Sequence, residues 1–213
     1  MSAVQPSRNV PRAAWIMARA FTPHALFAPL ALPWTLLSVI SGALRRGLFL
    51  DRTRTGMVLL YRSDPLLDVL LVLPIMGVIF GISLTVPVLL FLLFPGLWTL
   101  LTILGAPVVL FLGALFLLPR GGGAMSPFGA ETPAGPRWEL AGLAQLPGTR
   151  LTGIQLARRV VSQVPPAGAV VGATAGTQAL YRQYLRHGFH PGAKHRVYKV
   201  IGGPPRPAGP VES

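Results

Sequence analysis

Val69–Pro119 reads VLLVLPIMGVIFGISLTVPVLLFLLFPGLWTLLTILGAPVVLFLGALFLLP and holds no Asp, Glu, Lys, Arg or His. A single helix needs ~20 apolar residues to cross a bilayer, and this run is about twice that. Phe94, Pro95 and Gly96 interrupt it near its middle. The stretch therefore reads as a membrane hairpin of two helices, Leu66–Leu93 and Leu97–Leu118, within a unit spanning 66–118. Pro74, Pro87, Pro95 and Pro107 and five glycines lie within it. Membrane helices tolerate such residues where neighbours satisfy the freed backbone groups. Gly77 and Gly81 have the spacing of a close-packing pair, but ordinary membrane composition accounts for them. No ionisable residue sits deep in the run, so an ion path or proton relay lacks its usual residues. The hairpin reads as an anchor rather than a transporter.

The flanks are basic. The chain is 52% hydrophobic and 12% charged, with net charge +13 and mean hydropathy +0.57. Residues 1–68 hold eight Arg against Asp51, Asp64 and Asp68. Residues 120–213 hold nine Arg and two Lys against three Glu. The positive-inside rule puts both flanks, and with them both termini, in the cytoplasm, as an even number of crossings allows. The same charge attracts anionic lipid headgroups. No nucleic-acid partner is expected, because few aromatics interleave with the scattered arginines as a stacking platform requires. The absence of Cys excludes disulfides and thiolate-bound metals.

Residues 1–65 form a basic N-terminal region. Within it, residues 25–44 (ALFAPLALPWTLLSVISGAL) are apolar, with Pro29 and Pro33 inside. An interfacial segment, a third crossing and a signal sequence are the three readings, and the interfacial one is preferred. Residues 45–63 place two short apolar runs around Asp-Arg-Thr-Arg-Thr-Gly, the pattern of a β-hairpin. Residues 119–137 are rich in Gly and Pro and read as a flexible linker. Residues 202–213 read as a disordered tail.

Residues 138–201 differ in composition. WELAGLAQL reads as a strand, and Leu151–Val164 as a helix stopped by Pro165-Pro166. Ala169–Ala173 reads as a buried strand, Thr177–His187 as a helix ended by Gly188, and His195–Ile201 as a strand. The order β-α-β-α-β predicts a small α/β layer. The fold class expected is thus a membrane α-helical hairpin plus a small α/β domain.

Two motifs sit on these elements. Arg150-Leu151-Thr152-Gly153-Ile154-Gln155 follows a strand and opens a helix. Tyr184-x-x-x-Gly188-Phe189 ends the next helix. In this order the segment resembles the second half of the GNAT N-acetyltransferase superfamily, whose acyl-CoA signature is Q/R-x-x-G-x-G/A. Gln155 departs from the small residue of that signature, and Thr177, Leu180 and Gln183 depart from the second one. The resemblance implies acetyl-CoA as co-substrate, its pyrophosphate held by Arg150, Leu151, Thr152, Gly153, Ile154 and Gln155 at a helix N-terminus. It also implies Tyr184, or Tyr181 one turn earlier, as the acid that protonates the departing thiolate. Glu139, on the strand whose backbone the family uses to hold acetyl-CoA, is the remaining catalytic candidate. His187, His190 and His195 read as a solvated basic loop, and no metal is expected.

The family's first half has no clear match in residues 1–65. The 48–61 hairpin could supply its strands across the membrane insertion, a second subunit could complete the sheet as a homo-oligomer, or the domain could be degenerate. The function these residues imply is acyl transfer from CoA to an amine by a membrane-anchored protein. The alternative is a non-catalytic integral membrane protein whose basic domain binds a partner or anionic lipid.

Overall fold

The computed structural model describes residues 4–93, 96–115, 126–149 and 152–202. The chain opens with helix α1 (Val10–Phe21), started by the Asn9 side chain, which accepts the Arg12 N–H at 3.3 Å. A short turn leads to α2 (Ala28–Leu44), and then to strands β1 (Leu48–Leu50) and β2 (Gly56–Arg62). Helices α3 (Pro65–Leu93) and α4 (Leu97–Leu115) follow. The chain then forms β3 (Arg137–Gln145), α5 (Thr152–Gln163), β4 (Val170–Thr174), α6 (Gln178–Arg186), β5 (His190–Pro191) and β6 (Arg196–Val200).

The six strands form one mixed sheet in the order β1-β2-β3-β4-β6-β5. Only β3 and β4 run parallel, and α5 makes the crossover between them. The 45–63 segment folds as the β1–β2 hairpin, with Leu48 opposite Leu59. Asp51 organises its turn. Its Oδ1 accepts the N–H groups of Thr55 and Gly56, both at 2.7 Å, and its Oδ2 accepts the Thr53 and Thr55 hydroxyls. β2 then pairs with β3, Tyr61 opposite Glu139 and Arg62 opposite Trp138. The early strands therefore come from this chain, and α3 and α4 are inserted between two neighbouring strands of one sheet.

Alternation along β2 divides the core. Val58 and Leu60 face one layer with Leu156, Val160 and Val161 of α5 and Tyr184 of α6. Met57 and Leu59 face the other, with Ala13, Ala14 and Ile16 of α1 and Val39 of α2. The sheet is thus covered by α1 and α2 on one side and by α5 and α6 on the other.

Among the described residues, 25–44 is the one helical stretch long and apolar enough to cross a membrane, by length and composition alone. Its C-terminal half packs on the sheet, where a Cβ on Gly42 would lie 2.7 Å from Leu59. Its other flank meets the hairpin helices: Trp34 stacks edge-on to Phe80 of α3 at 6.2 Å, and Leu30 abuts Gly113 of α4. α2 therefore packs against both the sheet and the hairpin helices. Gly77 and Gly81 face open space, with no atom within 4 Å of a built Cβ.

Of the expected linker, residues 126–136 are mostly exposed but are tied to the sheet by Phe128 and Glu131. A Cβ on Gly172 of β4 would lie 2.7 Å from the Phe128 ring, so that ring sits directly on the strand. Glu131 pairs with Arg196 of β6 at 3.0 Å and accepts the Ala193 N–H. Gly and Pro here shape a seated loop rather than a free one. The expected tail from 203 onward lies outside the described residues, as do residues 116–125.

Candidate functional site

The site begins where two strands part. β3 and β4 are paired across Arg137–Glu139 and Val170–Gly172 only. From Leu140 onward β3 pairs with β2 alone. A bulge at Ala141 shifts the β2–β3 register, since Leu60 faces Leu140 while Leu59 faces Gly142. A bulge adds a residue and re-aims the side chains beyond it. Leu140 and Leu143, three positions apart, therefore both face α5.

Beside this parting lies a cavity of about 880 Å³. Leu140, Leu143, Tyr184 and Phe189 give it an apolar wall; Arg158, Arg159 and Lys199 bring positive charge to its lining. Its volume falls in the range of small-molecule and cofactor sites, ~300–1,000 Å³. Lys199 Nζ donates to the His187 carbonyl at 3.1 Å and lies 5.8 Å from the Phe189 ring centre, which holds its charge beside α6.

α6 presents Tyr184 to this cavity. The Thr177 hydroxyl starts the helix by accepting the Leu180 N–H at 3.2 Å, and Gly188, at φ +78°, lets the chain turn out at its end. Tyr184 is 6% exposed, with its ring 5.2 Å from that of Phe189. Burial pushes its phenol well above the ordinary value of 10.

The start of α5 is closely fitted. A Cβ on Gly56 of β2 would lie 2.9 Å from the Gly153 nitrogen, so this approach requires glycine. Gln145 Oε1 accepts the Gly153 N–H at 3.3 Å, and Gln145 Nε2 donates to the Thr149 carbonyl at 2.9 Å. Thr152 Oγ1 is buried and has no hydrogen-bond partner among the described residues.

The structure brings Ile154, Gln155 and Tyr184 to the cavity. Thr152 and Gly153 stand at the first turn of α5, against β2 and β3. Arg150 and Leu151 lie outside the described residues. Tyr181 is directed elsewhere, its ring 5.5 Å from that of His195, and it does not line the cavity. Glu139 alternates with Trp138 and Leu140 and so occupies the opposite face of β3 from the cavity. The three histidines are dispersed: His187 caps α6, His190 lies against Tyr198 and His195 against Tyr181. Among the described residues no group of three His, Cys, Asp or Glu could hold a metal.

Sequence reading misses Leu140, Leu143, Arg158 and Lys199. Arg158 follows Ile154 and Gln155 by one turn, so helical spacing signals it. The bulge has a fainter mark, the break in alternation of WELAGLAQL at Ala141-Gly142. No protein-family model matches the chain, and no curated protein matches it.

Proposed function

We propose that this chain is a membrane-anchored protein with a GNAT-like domain that binds acyl-CoA and transfers the acyl group to an amine. The observation that carries the reading is the parting of β3 from β4 beside a cavity with Tyr184 in its wall and basic side chains in its lining. The strand and helix order agrees with the resemblance, since β1 and β2 extend the sheet in the same chain ahead of β3.

In this reading the acyl thioester lies along the unpaired edge of β3. An amine nitrogen attacks the thioester carbonyl carbon, the carbon–sulfur bond breaks, and the amine's proton passes to solvent. Tyr184 gives its phenolic proton to the departing thiolate. A phenol with a raised pKa remains protonated at neutral pH, but the same burial makes it a weaker acid than a thiol near ~8.5, so the transfer is completed only as a solvent proton restores the phenol.

α3 and α4 are the anchor. At 1.5 Å per residue they extend about 43 Å and about 28 Å, against a hydrocarbon core of ~30 Å. Exposed Leu73, Leu92, Val108 and Phe111 meet lipid, and the basic flanks hold the domain and both termini on the cytoplasmic side.

The competing reading, a non-catalytic membrane protein whose basic domain binds a partner or lipid, draws on Gln145. Its side chain already occupies the Gly153 N–H that a pyrophosphate would take. Calorimetry of acetyl-CoA against the full-length protein in detergent separates the two. Gln155 is exposed and lines the cavity, so Gln155→Trp obstructs it without touching the core. Micromolar binding abolished by Gln155→Trp supports the acyl-CoA reading. A folded protein that ignores millimolar acetyl-CoA overturns it.

A further inference from the structure

Arg46, Arg62 and Arg137 are far apart in the chain, yet the fold carries all three to one end of the sheet. Arg46 follows α2 and immediately precedes Gly47, whose carbonyl accepts the Leu60 N–H at 2.8 Å. Arg62 is the last residue of β2 and Arg137 the first of β3; the Ser63 N–H donates to the Arg137 carbonyl at 2.9 Å. All three side chains are exposed. Arg45, half-buried, lies over the Tyr61 ring at 4.7 Å at the same end. The carboxylates near this end are Asp64, which accepts the N–H groups of Leu66 and Leu67 at the start of α3, Asp68 one turn further along α3, and Glu139.

This is also the end from which α3 departs. Leu66, Leu70 and Leu73 lie on one stripe of its first turns and are 58–70% exposed. Cations from both faces of this sheet end thus stand beside the start of an uncovered apolar stripe, with Arg137 lying over the Phe128 ring at 5.3 Å. We propose that Arg46, Arg62 and Arg137 form a collar that binds the phosphates of anionic phospholipids where α3 enters the bilayer. The chemistry matches on both sides of the boundary: guanidinium groups pair with phosphate oxygens, and the leucine stripe meets acyl chains. Other basic groups do not share the position. Arg52 and Arg54 sit on the Asp51–Gly56 turn, at the opposite end of the same strands. The collar rests on the reading of α3–α4 as a membrane anchor.

The test uses the full-length chain in phosphatidylcholine nanodiscs doped with phosphatidylglycerol. Lipids retained by the released protein are counted by native mass spectrometry. Wild type is expected to retain phosphatidylglycerol over phosphatidylcholine, less so in 0.5 M salt. Each of Arg46→Gln, Arg62→Gln and Arg137→Gln is expected to weaken that retention roughly five-fold. Arg52→Gln/Arg54→Gln is expected to leave it unchanged. Circular dichroism of every variant checks the fold. Equal loss in the Arg52/Arg54 pair would reduce the effect to net charge and overturn the collar, as would a wild type with no headgroup preference. A chain that does not enter phosphatidylcholine discs at all overturns the anchor itself, an outcome visible before any lipid is counted.

Discussion

Gly113 of α4 touches the carbonyl oxygen of Leu30 of α2 so closely that a β-carbon would collide with it, and Trp34 lies 3.4 Å from the same point. A backbone oxygen cannot swing aside as a flexible side chain does. Gly113→Val should therefore separate α4 from α2, at a cost of roughly 1–3 kcal/mol. Thermal unfolding in detergent reads this directly. Gly81→Val, at a position facing open space, is the matched control and should cost far less.

Tyr184→Phe removes the phenol and keeps the ring against Phe189. The proposed acyl transfer should fall by ~10²–10⁴-fold, the usual worth of a positioned acid. Acetyl-CoA affinity and the melting temperature should stay near wild type. Because burial raises the phenol's pKa, the group is a donor across the whole neutral range, and no alkaline loss of rate below about pH 10 should be traceable to it. Steady-state kinetics at several pH values, with one amine acceptor throughout, test both points.

Asp51 offers a pH prediction with a definite sign. Partial burial raises its pKa, but hydrogen bonds from Thr53, Gly56 and Thr55 together outweigh it and hold the carboxyl below the ordinary value of 3.8. The folded state thus favours the carboxylate. Its contribution is complete above pH 3.8 and fades as pH falls through the lower folded-state value. Asp51→Asn should flatten that acid limb and destabilise the protein by about 2 kcal/mol at neutral pH, the scale of bonds to a charged acceptor. Denaturant titrations from pH 2.5 to 7 would show it.

Phe128 fixes the segment that returns from α4 to the sheet. Phe128→Ala leaves Gly172 uncovered and frees the loop held by Glu131 and Arg196. Limited proteolysis should then cut within residues 126–136 faster than in wild type, with little change in the α5–α6 side of the core. Glu131→Gln should produce a weaker version of the same pattern, because the pair lies at the surface, where solvent screens it.

Local chemistry is what the sequence displays well. A charge-free run broken by Phe94-Pro95-Gly96 bounds α3 and α4, because helix ends and solvent-averse length are both local properties. The Asp51 turn, the Pro165-Pro166 stop and the Gly188 exit are likewise written in neighbouring residues. The union of β2 with β3 is not, since their pairing spans the whole of α3 and α4 and no periodicity records a partner so far away. The same holds for α2, whose partners Leu59 and Gly113 are remote. At the candidate site, Tyr184 and Gln155 are visible through motif spacing. Leu140 and Leu143 reach it through a one-residue bulge, which shifts a face without altering composition. Glu139 illustrates the converse: its strand is identified correctly, but its side of that strand depends on pairing.

The insertion of α3 and α4 between β2 and β3 also sets an order of assembly. A chain made from its N-terminus completes the β1–β2 hairpin first, leaving β2 with one edge unmatched. The sheet can close only after β3 is made, and an open loop of this length would tax the search for it. α3 and α4, by doubling back on each other, bring the ends of that loop toward one another. The helix pair thus shortens the distance that β2 and β3 must close.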